Sequence, residues 1–354
     1  MITREQAIAG SPSDKENYMN SIRIPHRNQT SVLSDVDNRM KPGAGLSITI
    51  VVGPTGVGKT TLGKMELNKL LSAYAIKIQE DANIIPAFMS EVDAPAPNSK
   101  EINWALQYTR LCHDLVAPGP LDGINLAASM KMEMPLDYVK CGQLMFEHAL
   151  RARETHHLIL DEAVHLSCTK TDPQEYGNLL KSLSNRARFH LLLLGAYGSE
   201  KIQIASGELA RRVKVVHYQR YKETEADFKE YCIFVKSFVE HFPLNCEVDI
   251  KDRLEYLFLG TFGLPGLTID VLKEAVKACV VHGGSEWRDK YLLASMPSIE
   301  AQRKIAKDTI NGERNVLPFL QQDKEHAYLT EQQVRSMLLL EAEQAKKLDE
   351  GTRP

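Results

Sequence analysis

Between residues 47 and 218 short apolar runs alternate with longer stretches of helical period. The candidate strands are Ser47–Val52, Ile84–Met89, His157–Leu160, Phe189–Leu194 and Val213–Tyr218. Four of the five are short apolar runs, too short for helices and of the kind buried on both faces of a sheet. Between them lie Thr60–Ala73, Glu101–Val116, Cys141–Arg153 and Glu175–Arg188, which read as helices. Such alternation predicts an α/β domain, a parallel sheet sandwiched by helices.

The flanks read differently. Residues 1–20 are polar and carry Ser11-Pro12 and Asp14-Lys15-Glu16-Asn17, which predicts a loose arm. Over 25–41, Val32, Val36 and Met40 recur at helical spacing, and Lys41-Pro42-Gly43-Ala44-Gly45 ends the pattern. After Tyr221 the strands stop. Thr224–Phe242, Lys251–Phe258 and Leu267–Val281 are amphipathic, so a small helical lid is expected there. Residues 284–320, with Pro297 and Pro318, read as irregular; Thr330–Leu348 opens on a capping-box pattern, Thr330-x-x-Gln333, and reads as a helix. The expected organisation is an arm (1–21), an α/β domain (22–222), a helical lid (223–283) and a C-terminal extension (284–354).

Within this frame Gly53-Pro54-Thr55-Gly56-Val57-Gly58-Lys59-Thr60 satisfies G-x-x-x-x-G-K-[ST] between a strand and a helix. Glycines let the backbone curl with its N–H groups inward, and the helix N-terminus adds positive potential, so the segment is built to hold phosphates. Lys59 is expected at the β- and γ-phosphates of ATP, Thr60 on Mg²⁺, and Thr61 beside them. A second strand should deliver an acid, and His157–Leu160 runs into Asp161-Glu162. Asp161 would hold Mg²⁺ through water, and Glu162 would orient and deprotonate the attacking water. The bland alternative is an acidic cap on the following helix.

Three further groups invite a reading. Gly195-Ala196-Tyr197-Gly198-Ser199 follows the fourth strand; Ala196 cannot touch a phosphate, whereas Tyr197 or Ser199 has the chemistry to do so. Arg211-Arg212 precedes the last strand. The phosphate loop and acid pair resemble those of AAA+ ATPases, and that resemblance implies that an arginine here, Arg212 before Arg211, faces a neighbouring subunit's ATP. Its fork and permanent charge suit the role; the alternative is a basic cap on the sheet edge. His156, His157 and His165 lack a further ligand at recognisable spacing and read as strand-flank histidines rather than zinc ligands.

Composition narrows the picture a little. With 43% hydrophobic and 25% charged residues the 354-residue chain is an ordinary folded one, and a net charge of −3 announces no global field for nucleic acid. Six cysteines without a C-x-x-C pair argue against a disulfide framework and fit a reducing compartment. No apolar run near 18 residues and no secretory h-region occur, so a cytoplasmic protein without a membrane span is expected.

Taken in order, several segments resemble the TniB/TnsC group of AAA+ transposition regulators. They are Ile24-Pro25-His26-Arg27, Pro95-Ala96-Pro97, Leu158-Ile159-Leu160-Asp161-Glu162-Ala163-Val164-His165-Leu166, Leu193-Leu194-Gly195, Leu209-Ala210-Arg211-Arg212-Val213 and Gly263-Leu264-Pro265-Gly266. The resemblance covers about residues 22–283. It implies an AAA+ P-loop domain with a helical lid, and ATP-driven assembly of a homo-oligomeric ring or filament on double-stranded DNA. It also implies recruitment of a transposase and of a TniQ-like target-selection protein, with hydrolysis releasing the assembly. Contact with DNA would be mostly to phosphates, with Arg151/Arg153, Arg186/Arg188 and Arg211–Lys222 as candidate stretches. Two departures stand out: Ala196 where the family has threonine, and no arginine between Gly266 and Ile269, with Lys273 a distant substitute. The alternatives are a related switch ATPase acting on protein partners, or a P-loop transferase of the tRNA prenyltransferase kind.

Overall fold

The computed structural model describes residues 2–40, 48–95, 101–116, 138–167, 190–246, 248–282 and 284–320, with Gln332, Ser336 and Met337 beyond them. Residues 1–319 form one compact unit and 320–354 a second. The helix expected at Glu175–Arg188 and nearly all of that expected at Thr330–Leu348 lie outside the described residues.

Strands β1 (Ile48–Val52), β2 (Ala87–Glu91), β3 (His157–Asp161), β4 (His190–Gly195) and β5 (Val213–His217) build one sheet in the order β2-β3-β4-β1-β5. Every pairing is parallel; Ile50 sits opposite Leu193 on one side and Val215 on the other. The central strands are buried along their whole length, which is why their sequences run apolar without alternation. Strand β2 begins three residues later than the sequence suggests. Pro86 has no N–H to give a ladder, and its carbonyl instead accepts from His156 N (2.9 Å) and His157 N (3.0 Å).

Helices α3 (Arg27–Met40), α4 (Lys59–Ala73), α5 (Ala75–Glu80), α6 (Trp104–Asp114), α7 (Tyr138–Ala152), the short α8 (Val164–Ser167) and α9 (Gly207–Arg212) accompany the sheet. Val32, Val36 and Met40 of α3 join Val51, Leu62, Leu192, Leu194 and Val216 in one buried cluster, as their spacing predicts. The lid comprises α10 (Glu225–Val239), α11 (Leu254–Gly260) and α12 (Pro265–His282), with a second core around Tyr231, Phe238, Leu257 and Leu272.

Two stretches depart from expectation. Residues 1–20 are not a loose arm: α1 (Arg4–Ala9) and α2 (Pro12–Ser21) each open on a capping box, Thr3 with Gln6 and Ser11 with Asp14. Ala7, Tyr18, Met19 and Ile22 are buried in the lid core, and Lys277 pairs with Glu16 at 3.1 Å, so tertiary burial secures what polar composition alone does not. Nor are residues 284–320 irregular. They hold α13 (Asp289–Ala294) and α14 (Ile299–Val316), the latter capped by Ser298; Pro297 and Pro318 bound the helix instead of breaking it.

Candidate functional site

All strands point their carboxyl ends the same way, and the phosphate loop, Asp161 and Glu162 gather at that edge. Ligands of open α/β sheets bind there. The loop Gly53–Gly58 leaves β1 and enters α4 with Gly56 at φ +80° and Gly58 at φ +104°, conformations that L side chains rarely adopt. Gly53 is needed for a different reason: a Cβ there would fall 2.5 Å from the Tyr218 carbonyl oxygen. Val57 is buried in the core and anchors the loop, Val57 N donating to Pro54 O at 3.3 Å. Thr55 is exposed and Thr61 half-buried at the start of α4.

Lys59 turns back into the loop and donates to the carbonyls of Gly53 (3.0 Å) and Pro54 (2.9 Å). Desolvation pulls its pKa down to about 8, against the opposing pull of Glu162 and then Asp161. A lysine so placed gains from an arriving anion, which favours its charged form.

Thr60 Oγ1 donates to Asp161 Oδ2 at 2.6 Å, joining residues 101 positions apart. The hydroxyl and the carboxylate are both hard oxygen donors. A pair of this kind suits Mg²⁺, which keeps several waters and takes few protein ligands. Asp161 is buried at the end of β3, and its Oδ1 accepts from Glu162 N at 2.9 Å. Glu162 itself sits at φ +55°, a left-handed conformation costing a non-glycine residue about 1–2 kcal/mol. Strain of that kind gathers at functional positions. Ala163 N then bonds Leu194 O (2.9 Å), tying this turn to β4.

Other candidates fall elsewhere. Ser199 is fully buried and caps Ala196 O at 2.8 Å, while the Tyr197 hydroxyl is engaged with His217 Nε2 at 2.9 Å. Both therefore serve the fold, and neither offers an unengaged group to a phosphate. Lys273 faces α2 instead, donating to Asn20 Oδ1 at 3.3 Å, and is no substitute for a lid arginine. Arg212 pairs with Glu208 (3.0 Å) at the end of α9. It immediately precedes Val213, which is opposite Ile48 at the start of β1. At about 3.3 Å per residue, the length of β1 puts roughly 16 Å between Arg212 and the loop that leaves the strand's far end. It cannot serve its own subunit's loop.

Of the basic stretches, Arg153 donates to Asn83 and Val116 carbonyls and Arg220 is buried against Glu313 at 3.0 Å, so both are structural; Arg186 and Arg188 lie outside the described residues. His156 and His157 flank β3 at the opposite rim from the loop, where His157 stacks on His190 at 5.5 Å. Among the described residues no group of three His, Cys, Asp or Glu could hold a metal ion, and no helix is long and apolar enough to cross a membrane.

Two contacts bring the lid onto the loop. Leu267 N of α12 donates to Gly56 O at 3.1 Å, and Gly266 approaches so closely that a Cβ would fall 2.5 Å from the same oxygen. The lid helix thus rests directly on the loop. His26 lies buried between the Tyr218 and Tyr221 hydroxyls (3.1 and 3.2 Å), linking the start of α3 to the lid approach; burial, with Arg27 adjacent, pushes its pKa down to about 4.

Residues 44–203 match the AAA domain family. The fold is similar to that of the ORC2 protein of Aeropyrum pernix in its ADPNP-ADP complexes. That likeness has TM-score 0.53 and 17% identity and spans 80% of this chain and 72% of that one. It is also similar to the Walker-type ATPase PABY2304 of Pyrococcus abyssi, with TM-score 0.50 and 15% identity over 85% of this chain and 79% of that one. No curated protein matches the chain. With its sheet order, its phosphate loop and a match to the AAA domain family over residues 44–203, this chain has the AAA+ P-loop fold, completed by a helical C-terminal region.

Proposed function

We propose that the protein is an ATP-hydrolysing regulator of DNA transposition of the TniB/TnsC kind, which assembles on double-stranded DNA and recruits a transposase. The observation carrying the ATPase reading is the Thr60–Asp161 hydrogen bond of 2.6 Å beside a strained Glu162. Backbone amides of Gly56–Thr61 and Lys59 would bind the triphosphate, and Thr60 with Asp161 would hold Mg²⁺, which when bound neutralises charge between the β- and γ-phosphates. Glu162 would accept the proton of the attacking water as its oxygen bonds to the γ-phosphorus and the bond to the bridging oxygen breaks, giving ADP and phosphate. Arg212, remote from its own loop, would act on the ATP of an adjacent copy, which makes turnover depend on assembly.

The transposition reading rests on the ordered motifs from Ile24 to Gly266 that resemble that group. A second reading, an initiator-like switch acting through protein partners, is favoured by the fold's likeness to ORC2. Pelleting the chain with long duplex DNA under ATP, a slowly hydrolysed analogue, ADP or no nucleotide separates the two. Nucleotide-dependent co-pelleting, abolished by Lys59→Ala, is expected. No DNA association at low salt under any nucleotide overturns the DNA-assembly reading and leaves the protein-directed switch.

A further inference from the structure

At the rim of the sheet opposite the phosphate loop, α3 and α4 leave a groove of about 600 Å³ between them. Its walls follow from helical spacing. Glu66, Leu70 and Tyr74 recur every fourth residue along α4, and Tyr74 is the cap that ends the helix. Asp37 faces them from α3, and His156, His157 and His190 close the groove at the sheet. The two ends differ in chemistry. At one, Asp37 pairs with Lys69 and stands beside the buried Glu66; burial first, and then Asp37, pushes the Glu66 pKa up to about 7. At the other, Tyr74 stacks on His156 at 5.8 Å and His157 on His190 at 5.5 Å. Burial, with His190 and His156 nearby, pushes the pKa of His157 down to about 4, so its ring is neutral.

Each end leaves one buried atom without a partner. Glu66 is 2% exposed and His157 8%, yet Glu66 Oε2 and His157 Nδ1 make no hydrogen bond. Buried polar groups are ordinarily paired, so both atoms point to a ligand. The lining selects its chemistry. Asp37 and Glu66 have one lysine between them, Lys69, so the acidic end is short of a cation and repels an anion. Among the described residues no group of three His, Cys, Asp or Glu could hold a metal ion, which leaves an organic cation. From Glu66 to Tyr74 is about 12 Å of helix, with Leu70 presenting apolar surface between them. A ligand that fits is elongated. It brings N–H donors at both ends, for Glu66 Oε2 and the neutral imidazole of His157, and methylenes for Leu70. Its charge favours the ionised form of Glu66 and gains from the face of the Tyr74 ring.

We propose that the groove between α3 and α4 binds an aliphatic polyamine, with one ammonium on Glu66 and Asp37, the methylene chain along Leu70, and the far amine on His157 against Tyr74. The groove runs along the helix that opens with Lys59 and Thr60 but shares no residue with the phosphate loop, so the inference does not depend on the ATPase reading.

The test is isothermal titration calorimetry of the full chain with spermidine, putrescine and n-butylamine at low salt, on wild type, Glu66→Gln, His157→Phe and Glu300→Gln, with thermal unfolding measured for each. One spermidine per chain is expected, bound at least tenfold more tightly than butylamine, with putrescine between them. Glu66→Gln and His157→Phe should each weaken spermidine at least tenfold, while His157→Phe leaves butylamine, which needs only the acidic end, within twofold. Phenylalanine keeps the ring against His190 and removes only the unpartnered nitrogen, so this variant decides the matter even if the buried amide of Glu66→Gln lowers stability. Glu300, exposed and paired with Arg303, controls for loose surface attraction, and Glu300→Gln should bind as the wild type does. Four results overturn the proposal: no spermidine binding at millimolar concentration, equal affinity for butylamine and spermidine, undiminished binding in a folded Glu66→Gln or in His157→Phe, or an equal loss in Glu300→Gln.

Discussion

Replacing Gly266 with alanine tests how far the phosphate loop depends on the lid helix resting on it. A Cβ at 266 would sit 2.5 Å from Gly56 O and 3.1 Å from its carbonyl carbon. Comfortable contact between heavy atoms lies near ~3.5 Å, so α12 must retreat by about 1 Å. Retreat of that size stretches the 3.1 Å bond from Leu267 N to Gly56 O beyond useful length. Overpacking of this kind costs about 1–3 kcal/mol and the lost hydrogen bond about 0.5–1.5 kcal/mol. A total of roughly 2–4 kcal/mol lowers the unfolding temperature by several degrees. If the lid must return to its seat to hold nucleotide, about 1.4 kcal/mol of that strain weakens binding tenfold. Thermal unfolding and nucleotide titration read the two effects. Gly207→Ala is the control: no atom lies within 4 Å of its added Cβ, it opens α9, and a gain of up to ~1 kcal/mol from helix propensity is expected. Wild-type stability and affinity in Gly266→Ala would refute the close seating of the lid on the loop.

Further outcomes follow from the same geometry. Glu162→Gln should bind ATP as the wild type does and turn it over at least about 100-fold more slowly, the usual scale of general base catalysis; undiminished turnover in a phosphate-release assay removes Glu162 from the chemistry. Arg212→Ala should leave ATP affinity intact and depress hydrolysis only under conditions of assembly, which a concentration series of ATPase rates checks; full activity at high concentration excludes the trans role. Acid should destabilise the fold. Burial holds His26, His157 and His217 near pKa 4, so from pH 6.5 down towards 4 the unfolded chain binds more protons and stability falls; above 6.5 it is fully present. Glu66, raised to about 7 by burial and by Asp37, works oppositely. Three groups against one leave about 2 protons, or roughly 3 kcal/mol per pH unit between 5 and 6. Equal urea midpoints at pH 5 and pH 7 would contradict this.

The phosphate loop and the acid pair were legible because their chemistry demands fixed residue types at fixed offsets, and the strands because burial on both faces leaves short, mostly apolar runs. The boundary of β2 slipped because the apolar pattern runs through Pro86, whereas hydrogen bonding does not. Thr3-x-x-Gln6 and Ser11-x-x-Asp14 signalled α1 and α2, but polar composition masked them, since the faces they bury meet residues more than two hundred positions away. Tyr197, Ser199 and Lys273 have the right chemistry for phosphate, and only their partners His217, Ala196 and Asn20 reveal that it is spent elsewhere. The seat of Gly266 on Gly56 and that of Gly312, in α14, on Tyr197 are close approaches between distant segments, for which no periodicity exists.

The docking of α1 and α2 on the lid has a consequence for biosynthesis. Lys15 donates to Pro243 O at 3.4 Å, and Lys277 meets Glu16, so α1 and α2 close against segments synthesised some 230 to 260 residues after them. At about 5–20 residues per second the wait is roughly 12–50 s. Throughout it Ala7, Tyr18, Met19 and Ile22 have no lid to cover them, so their apolar surface stays in water until α10 to α12 are made. The lid therefore closes late, back onto helices made long before it.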